Sequence, residues 1–171
     1  MDLNREQLWH ALEVLDRQLA NAGIATELRV VGGAAMSLMY DSARTTSDID
    51  SVFDNYDDVR SAVEAAALEL NLPTSWVNSQ ISDLALPFEK DHEARELVVG
   101  DHLTVRVSSP QFLLYTKIIS QRQAEQDFED ALKLARYLGL ETVEDIETTV
   151  KEFGSVDGPL ELYLEDIARE I

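Results

Sequence analysis

Cysteine is absent from this 171-residue sequence, which excludes a disulfide framework and a thiolate metal site. Basic residues are scarce: 14 Lys and Arg stand against 33 Asp and Glu, a formal charge of −19. Such a surface repels polyanions on average, so no broad nucleic-acid-binding face is expected. The excess acid reads as solvated surface, which leaves room for a local basic pocket. No apolar run approaches the ~20 residues needed to span a bilayer. The opening segment, MDLNREQLWHALEVL, lacks the basic stretch followed by an apolar run that marks a signal peptide. The expected setting is therefore the cytoplasm, with no membrane partner. His10, His92 and His102 share no metal-ligand spacing, and no Ser, His and Asp form a recognisable triad. What is present is a 45% hydrophobic share, which belongs to a globular chain.

Leu8, Leu12, Leu15 and Leu19 recur at helical spacing, and Gly23 supplies a stop. Residues 27–31 (ELRVV) read as a strand entering Gly32-Gly33, with a helix over Ala34–Tyr40 after it. Glycine at a strand-to-helix turn permits tight backbone geometry and close approach of a ligand. A polar stretch, 41–47, leads into a second strand around Asp48-Ile49-Asp50. Residues 57–70 read as a helix capped by Asp57 or Asp58, and Leu72-Pro73 ends it. Residues 74–94 carry no clear pattern. Residues 97–99 and 103–107 flank Gly100-Asp101 as a hairpin with a tight turn. Ser108-Ser109-Pro110-Gln111 then has the form of a helix start, a Ser cap with Pro in the first turn and Gln placed for a capping box. Further helices are expected over about 124–138, 142–153 and 159–171. The order implies an α/β fold, a small mixed sheet flanked by helices, with a helical C-terminal part. The division is an α/β core with an N-terminal helix over 1–108 and a helical part over 109–171.

The chemistry sits in two places. On a strand, residues two apart share a side, so Asp48 and Asp50 aim their carboxylates the same way. Two like charges held together are costly unless a cation joins them. An all-oxygen donor set with no Cys and no nearby His favours Mg²⁺ or Mn²⁺. A calcium loop is excluded, because Val52 stands at its third ligand position and the loop glycine is missing. Gly32-Gly33 ends the preceding strand, where backbone N–H groups can meet phosphate. Arg44, Thr45, Thr46 and Ser47 lie between the two elements and offer donors to phosphate. Metal beside a phosphate cradle is what nucleotidyl transfer requires. The second place is Lys117, set among Leu113, Leu114, Ile118 and Ile119. A Lys on so apolar a helix must snorkel or meet an anion. Asp127 heads a stripe with Ala131, Leu134 and Leu138, which makes a Lys117–Asp127 ion pair the plain structural expectation. Arg122 and Asp130 read as marginal. Trp9 and Trp76 read as packing residues.

The segment VVGGAAMSLMYDSARTTSDID resembles the first motif of minimal nucleotidyltransferases of the polymerase-beta-like superfamily. In particular it resembles the branch that holds the toxins of AbiE-type (type IV) toxin–antitoxin systems and their uncharacterised relatives. That branch shows a Gly-Gly pair and then Arg-x-Thr-x-Asp-x-Asp, which stands here as Arg44-Thr45-Thr46-Ser47-Asp48-Ile49-Asp50. The run SSPQFLLYTKIISQRQAEQDFEDALKL is similar to the second block of the same proteins, through Lys117, Arg122, Asp127 and Asp130. The resemblance implies Mg²⁺ (or Mn²⁺) on Asp48 and Asp50, and a triphosphate cradle shaped by Gly32 and Gly33. It implies phosphate contacts from Arg44, Thr46 and Lys117, and completion of the site by Asp127. It also implies transfer of a nucleoside monophosphate from an NTP to a hydroxyl of a tRNA, a protein or a small molecule, and an antitoxin partner.

Members of the superfamily usually carry a third acidic ligand on a later strand, although some relatives in the toxin branch lack it. The matching strand here, residues 103–107, has Arg106 as its charged residue and no acid. That departure, with the −19 charge, motivates an alternative: a catalytically inactive interaction module on the same fold. A third reading, an antibiotic-modifying transferase, follows from the fit of an acidic cleft to a cationic aminoglycoside.

Overall fold

The computed structural model describes residues 2–120 and 125–171. The chain divides into two compact units, Met1–Ala85 with Ala94–Val107, and Leu86–Glu93 with Ser108–Ile171. No helix among the described residues is long and apolar enough to cross a membrane.

The first unit opens with helix α1 (Arg5–Ala22). Asn4 accepts from Gln7 N at 2.9 Å and the Gln7 amide accepts from Asn4 N at 3.0 Å, a reciprocal cap that satisfies two end donors. Gly23 ends the helix at φ 70°. Leu8, Leu12, Leu15 and Leu19 are fully buried, each contributing about 1.5–3 kcal/mol of hydrophobic stabilisation. Strand β1 (Thr26–Val30) leads into helix α2 (Gly32–Ala35) and a π-helical turn, Met36–Tyr40. Strand β2 (Ile49–Val52), helix α3 (Tyr56–Leu70), strand β3 (Val77–Asn78), and strands β4 (Arg95–Val98) and β5 (Leu103–Val107) follow. The sheet order is β3-β2-β1-β5-β4, with β1 parallel to β5, β2 parallel to β3, and the β1–β2 and β4–β5 pairs antiparallel. The expected α/β class with a mixed sheet is what the chain adopts.

The register sorts the sheet into two faces. Leu28, Val30, Ile49, Ser51, Val105 and Val107 lie on the buried face. Arg29 is the register partner of both Val52 and Arg106, which puts Glu27, Arg29, Asp50, Val52 and Arg106 on the other.

Several local expectations need correction. Strand β3 was not foreseen, since two residues are too few to show alternation. Helix α2 begins at Gly32 rather than Ala34. Helix α3 is entered through Asn55 at φ 61° with no side-chain cap, while Asp57 and Asp58 sit in the first turn, where the helix dipole favours carboxylates. The hairpin is closed by Val99 N and Gly100 N, both donating to the Leu103 carbonyl. Asp16 on α1 braces it by accepting from His102 N and Leu103 N at 2.9 and 2.7 Å.

The second unit holds α4 (Pro110–Ile119), α5 (Glu125–Leu138), α6 (Val143–Lys151) and α7 (Pro159–Glu170). Ser109 caps α4 by accepting from Phe112 N at 3.1 Å. Gln111 does not complete a capping box; its amide donates to Glu93 at 3.2 Å. Thr142 and Asp145 do form one on α6. Phe112 is the centre of an aromatic cluster with Phe88, Tyr115 and Phe153, the last meeting it edge-on at 5.2 Å.

Candidate active site

The glycine corner is built by contact. Gly32 has φ +66°, a conformation that L side chains rarely adopt, and a Cβ there would lie 3.0 Å from Asp50 Oδ2. A Cβ on Gly33 would lie 2.9 Å from Thr46 Oγ1 and 3.2 Å from a terminal nitrogen of Arg44. The two glycines therefore let one carboxylate, one hydroxyl and one guanidinium close on the end of β1. Paired backbone bonds between Leu3 and Thr46, at 2.7 and 3.0 Å, pin the 41–48 loop in place. Arg44 also donates to the Thr45 carbonyl, and Thr46 Oγ1 donates to the Asp48 carbonyl at 3.0 Å. Of the residues expected here, Gly32, Gly33, Arg44, Thr46 and Asp50 are brought together directly.

Asp48 is placed differently from the simple strand argument. It lies in a bend before β2, so alternation along a strand does not by itself decide its side. Asn78 decides it. Asn78 is the parallel register partner of Asp50 and so shares its face. Its Nδ2 donates to Asp48 Oδ2 at 3.3 Å, while its Oδ1 accepts from Gln80 N at 3.2 Å. The backbone bond fixes the amide's orientation, and the amide draws the Asp48 carboxylate to the side of Asp50. Ser47 adds a longer bond to Asp48 Oδ1 at 3.4 Å. Asn78 was missed in the sequence; only recognition of β3 as a strand next to β2 was able to find it.

The open sheet face carries no third acid beside this pair at β5. Arg106 Nε and a terminal nitrogen each lie 3.1 Å from the Glu27 carboxylate, and the same terminal nitrogen is 3.4 Å from Glu96. The Glu27 hydrogen bonds, followed by its charge, raise the Arg106 pKa above its ordinary value. Among the described residues no three His, Cys, Asp or Glu side chains are grouped as a metal cluster.

In the second unit Lys117 Nζ lies 2.6 Å from Asp127 Oδ1 and 2.8 Å from Asp130 Oδ2. The pair with Asp127 was expected. Asp130 was not expected there: its side chain is fully buried rather than marginal. Asp127 and Asp130 are one helical turn apart on α5, so both reach one ammonium. Gln126 donates to the other Asp130 oxygen at 3.3 Å. Arg122 lies outside the described residues. Trp76 is fully buried with its indole N–H donating to the Val63 carbonyl at 3.1 Å, a packing role.

A glycine corner with a carboxylate against it, followed by an Asp-x-Asp that leads into the next strand, agrees with what most of the chain matches. The chain belongs to the family described as nucleotidyltransferase of unknown function (DUF6036), whose model covers residues 7–157. No curated protein and no solved structure matches it. The α/β architecture is consistent with the nucleotidyltransferase fold.

A divalent ion on Asp48 and Asp50 is what the resemblance to nucleotidyltransferases implies. Two oxygen donors, with no third His, Cys, Asp or Glu grouped with them among the described residues, do not make a transition-metal cage. They do fit Mg²⁺, which is held by one or two carboxylates and completes its shell from substrate phosphates and water. The absence of a Cβ on Gly32 lets the Asp50 carboxylate lie against the end of β1.

Proposed function

We propose that the chain transfers a nucleoside monophosphate from an NTP to a hydroxyl, using Asp48 and Asp50 as the residues that hold Mg²⁺. The single observation that carries this reading is the contact of Asp50 with the Gly32 corner, which sets a carboxylate where a triphosphate would pass. Gly32 and Gly33 receive the phosphates, and Arg44 and Thr46 supply positive charge and a hydroxyl donor. When bound, the ion neutralises phosphate charge and orients the α-phosphate. The acceptor oxygen forms a bond to the α-phosphorus. The bond from that phosphorus to the β-phosphate bridge breaks, and its electron pair leaves with pyrophosphate. The hydroxyl proton passes to a carboxylate of the Asp48–Asp50 pair and on to water.

Lys117 has a structural role in this reading rather than a phosphate-binding one. Its ammonium is engaged by the carboxylates of Asp127 and Asp130 rather than left for phosphate. The Lys117–Asp127–Asp130 triad is proposed as a structural element of the helical unit.

Purified protein with Mg²⁺ and α-labelled NTPs is expected to bind nucleotide and to label an acceptor. Asp48→Asn and Asp50→Asn each abolish both, while the metal-free melting temperature holds or rises slightly as like-charge repulsion is relieved. Equal nucleotide affinity in Asp50→Asn and the parent protein, or a large fall in its metal-free stability, refutes the assignment.

A second reading is favoured by one observation, the guanidinium of Arg106 on the strand where a third carboxylate is expected. In that reading the chain keeps the fold as an interaction module, and calorimetry with NTP and Mg²⁺ gives no heat. Membership of the AbiE-type toxin branch is a finer proposal, supported by the Arg44–Asp50 motif. Growth arrest on expression, relieved by a co-expressed neighbouring regulator, is its test.

A further inference from the structure

At Asn78, whose amide holds the Asp48 carboxylate, begins a cleft that the nucleotide reading does not use. It has a volume of about 590 Å³ and is lined by α3, by the residues around β3 and by the 3-10 turn Gln80–Leu84. That volume is within the usual range for small-molecule sites, roughly 300–1,000 Å³. Asn78 belongs to both places: it lines the cleft, and its Nδ2 donates to Asp48. Strand order strengthens the link. β2, which carries Asp50, lies between β1, which ends in the glycine corner, and β3, which borders the cleft.

The lining has a definite chemistry. Hydroxyls of Thr74, Ser75, Ser79 and Ser82 and the amide of Gln80 supply neutral donors and acceptors, while Phe53 and Val77 add apolar surface. Its only cation among the described lining residues is Arg60, whose Nε is 2.8 Å from Glu64 Oε1. Asp83 adds a further acid. A polyanion needs surplus positive charge, and the wall has none. Neutral donors and acceptors over a small apolar patch suit a molecule rich in hydroxyl groups.

We infer that this cleft is the acceptor site, and that the acceptor is a small polyhydroxylated molecule rather than a nucleic acid. The inference rests on the proposed nucleotidyl transfer and adds the class of hydroxyl that enters it. Phosphates enter from the β1 side of the acids and the acceptor from the β3 side, so the attacking hydroxyl and the NTP do not compete for the same wall.

Ligand-observed saturation-transfer NMR on the full chain tests this with three probes: glucose, glucosamine and a short oligoribonucleotide. Glucose or glucosamine is expected to receive saturation, and the oligonucleotide is not. Ser82→Trp fills the cleft and is expected to remove the sugar signal while ATP–Mg²⁺ affinity, read by calorimetry, stays within twofold. Asp83→Asn, a milder change, reports the amine: a severalfold loss for glucosamine alone marks an amino sugar, and equal signals mark a neutral polyol. Absence of saturation for both sugars, or sugar signals unchanged by Ser82→Trp, overturns the inference. Saturation of the oligonucleotide abolished by Ser82→Trp overturns it in favour of RNA. ATP that fails to bind while the sugar signal obeys both variants refutes the nucleotide reading and leaves the cleft assigned.

Discussion

Replacement of Lys117 by Met is the most direct check on the helical unit. The side chain is 8% exposed and its ammonium serves two carboxylates, one of them fully buried. Met keeps the length and the apolar stem but takes the ammonium away from Asp127 and Asp130. Removing one partner of a buried ion pair costs about 3–5 kcal/mol. The second carboxylate adds like-charge repulsion, which pushes the cost toward the upper end. For a chain of this length each kcal/mol moves the melting temperature by roughly 2–4 °C, so the expected fall is roughly 6–20 °C. Thermal unfolding followed by circular dichroism, with urea titration alongside, reads it. The triple variant Lys117→Met, Asp127→Asn, Asp130→Asn replaces the triad by neutral groups of similar shape and is expected to recover most of the loss. A single variant that melts within roughly 2 °C of the parent protein, under about 1 kcal/mol, refutes the reasoning. So does a triple variant no more stable than the single one.

Three further outcomes are expected. Gly32→Ala forces an L residue to φ +66° and sets a methyl 3.0 Å from Asp50 Oδ2, so stability falls by about 1–2 kcal/mol and nucleotide affinity falls with it; an unchanged melt shows that the corner is not strained. Asn78→Ala releases the Asp48 carboxylate and is expected to weaken Mn²⁺ binding by about tenfold with little change in melting, as is usual when a ligand's supporting hydrogen bond is lost; unaltered Mn²⁺ affinity refutes that placement. The Tyr163 hydroxyl is buried with no partner among the described residues, so Tyr163→Phe is expected to stabilise by about 1 kcal/mol. The same variant has a pH signature. Burial, and then the charge of Asp127, raise the Tyr163 pKa above 10.0, and burial raises that of Tyr115. The unfolded chain therefore loses these protons first, and stability present below pH 10 declines as pH rises beyond it. Titration of urea midpoints from pH 8 to 11 is expected to show a shallower decline in Tyr163→Phe and Tyr115→Phe, and parallel curves refute it.

Much of the fold was legible because its signals are local. The leucine period of α1, the αL glycine that ends it, the Pro110 helix start and the Thr142–Asp145 box each act within a few residues. The Gly-Gly and Asp-x-Asp pieces of the site were legible for the same reason, since their spacing is written in one short segment. Buried Lys117 was also legible, because an ammonium among leucines and isoleucines demands an anion, and Asp127 was at hand.

The remainder depended on which strands and turns meet. β3 is two residues long, too short for any period, yet it brings Asn78 against Asp48 and borders the cleft. Asp130 looked like one more acid on an acidic helix until packing placed it, with Asp127, on a single ammonium. Arg106 read as a missing carboxylate, and only the register of β1, β4 and β5 showed it tied to Glu27 and Glu96. Residue type and spacing along the chain determined the candidate chemistry of this protein. The tertiary structure decided its geometry, because a carboxylate's neighbours across a sheet are set by strand order and register, which no short stretch of sequence contains.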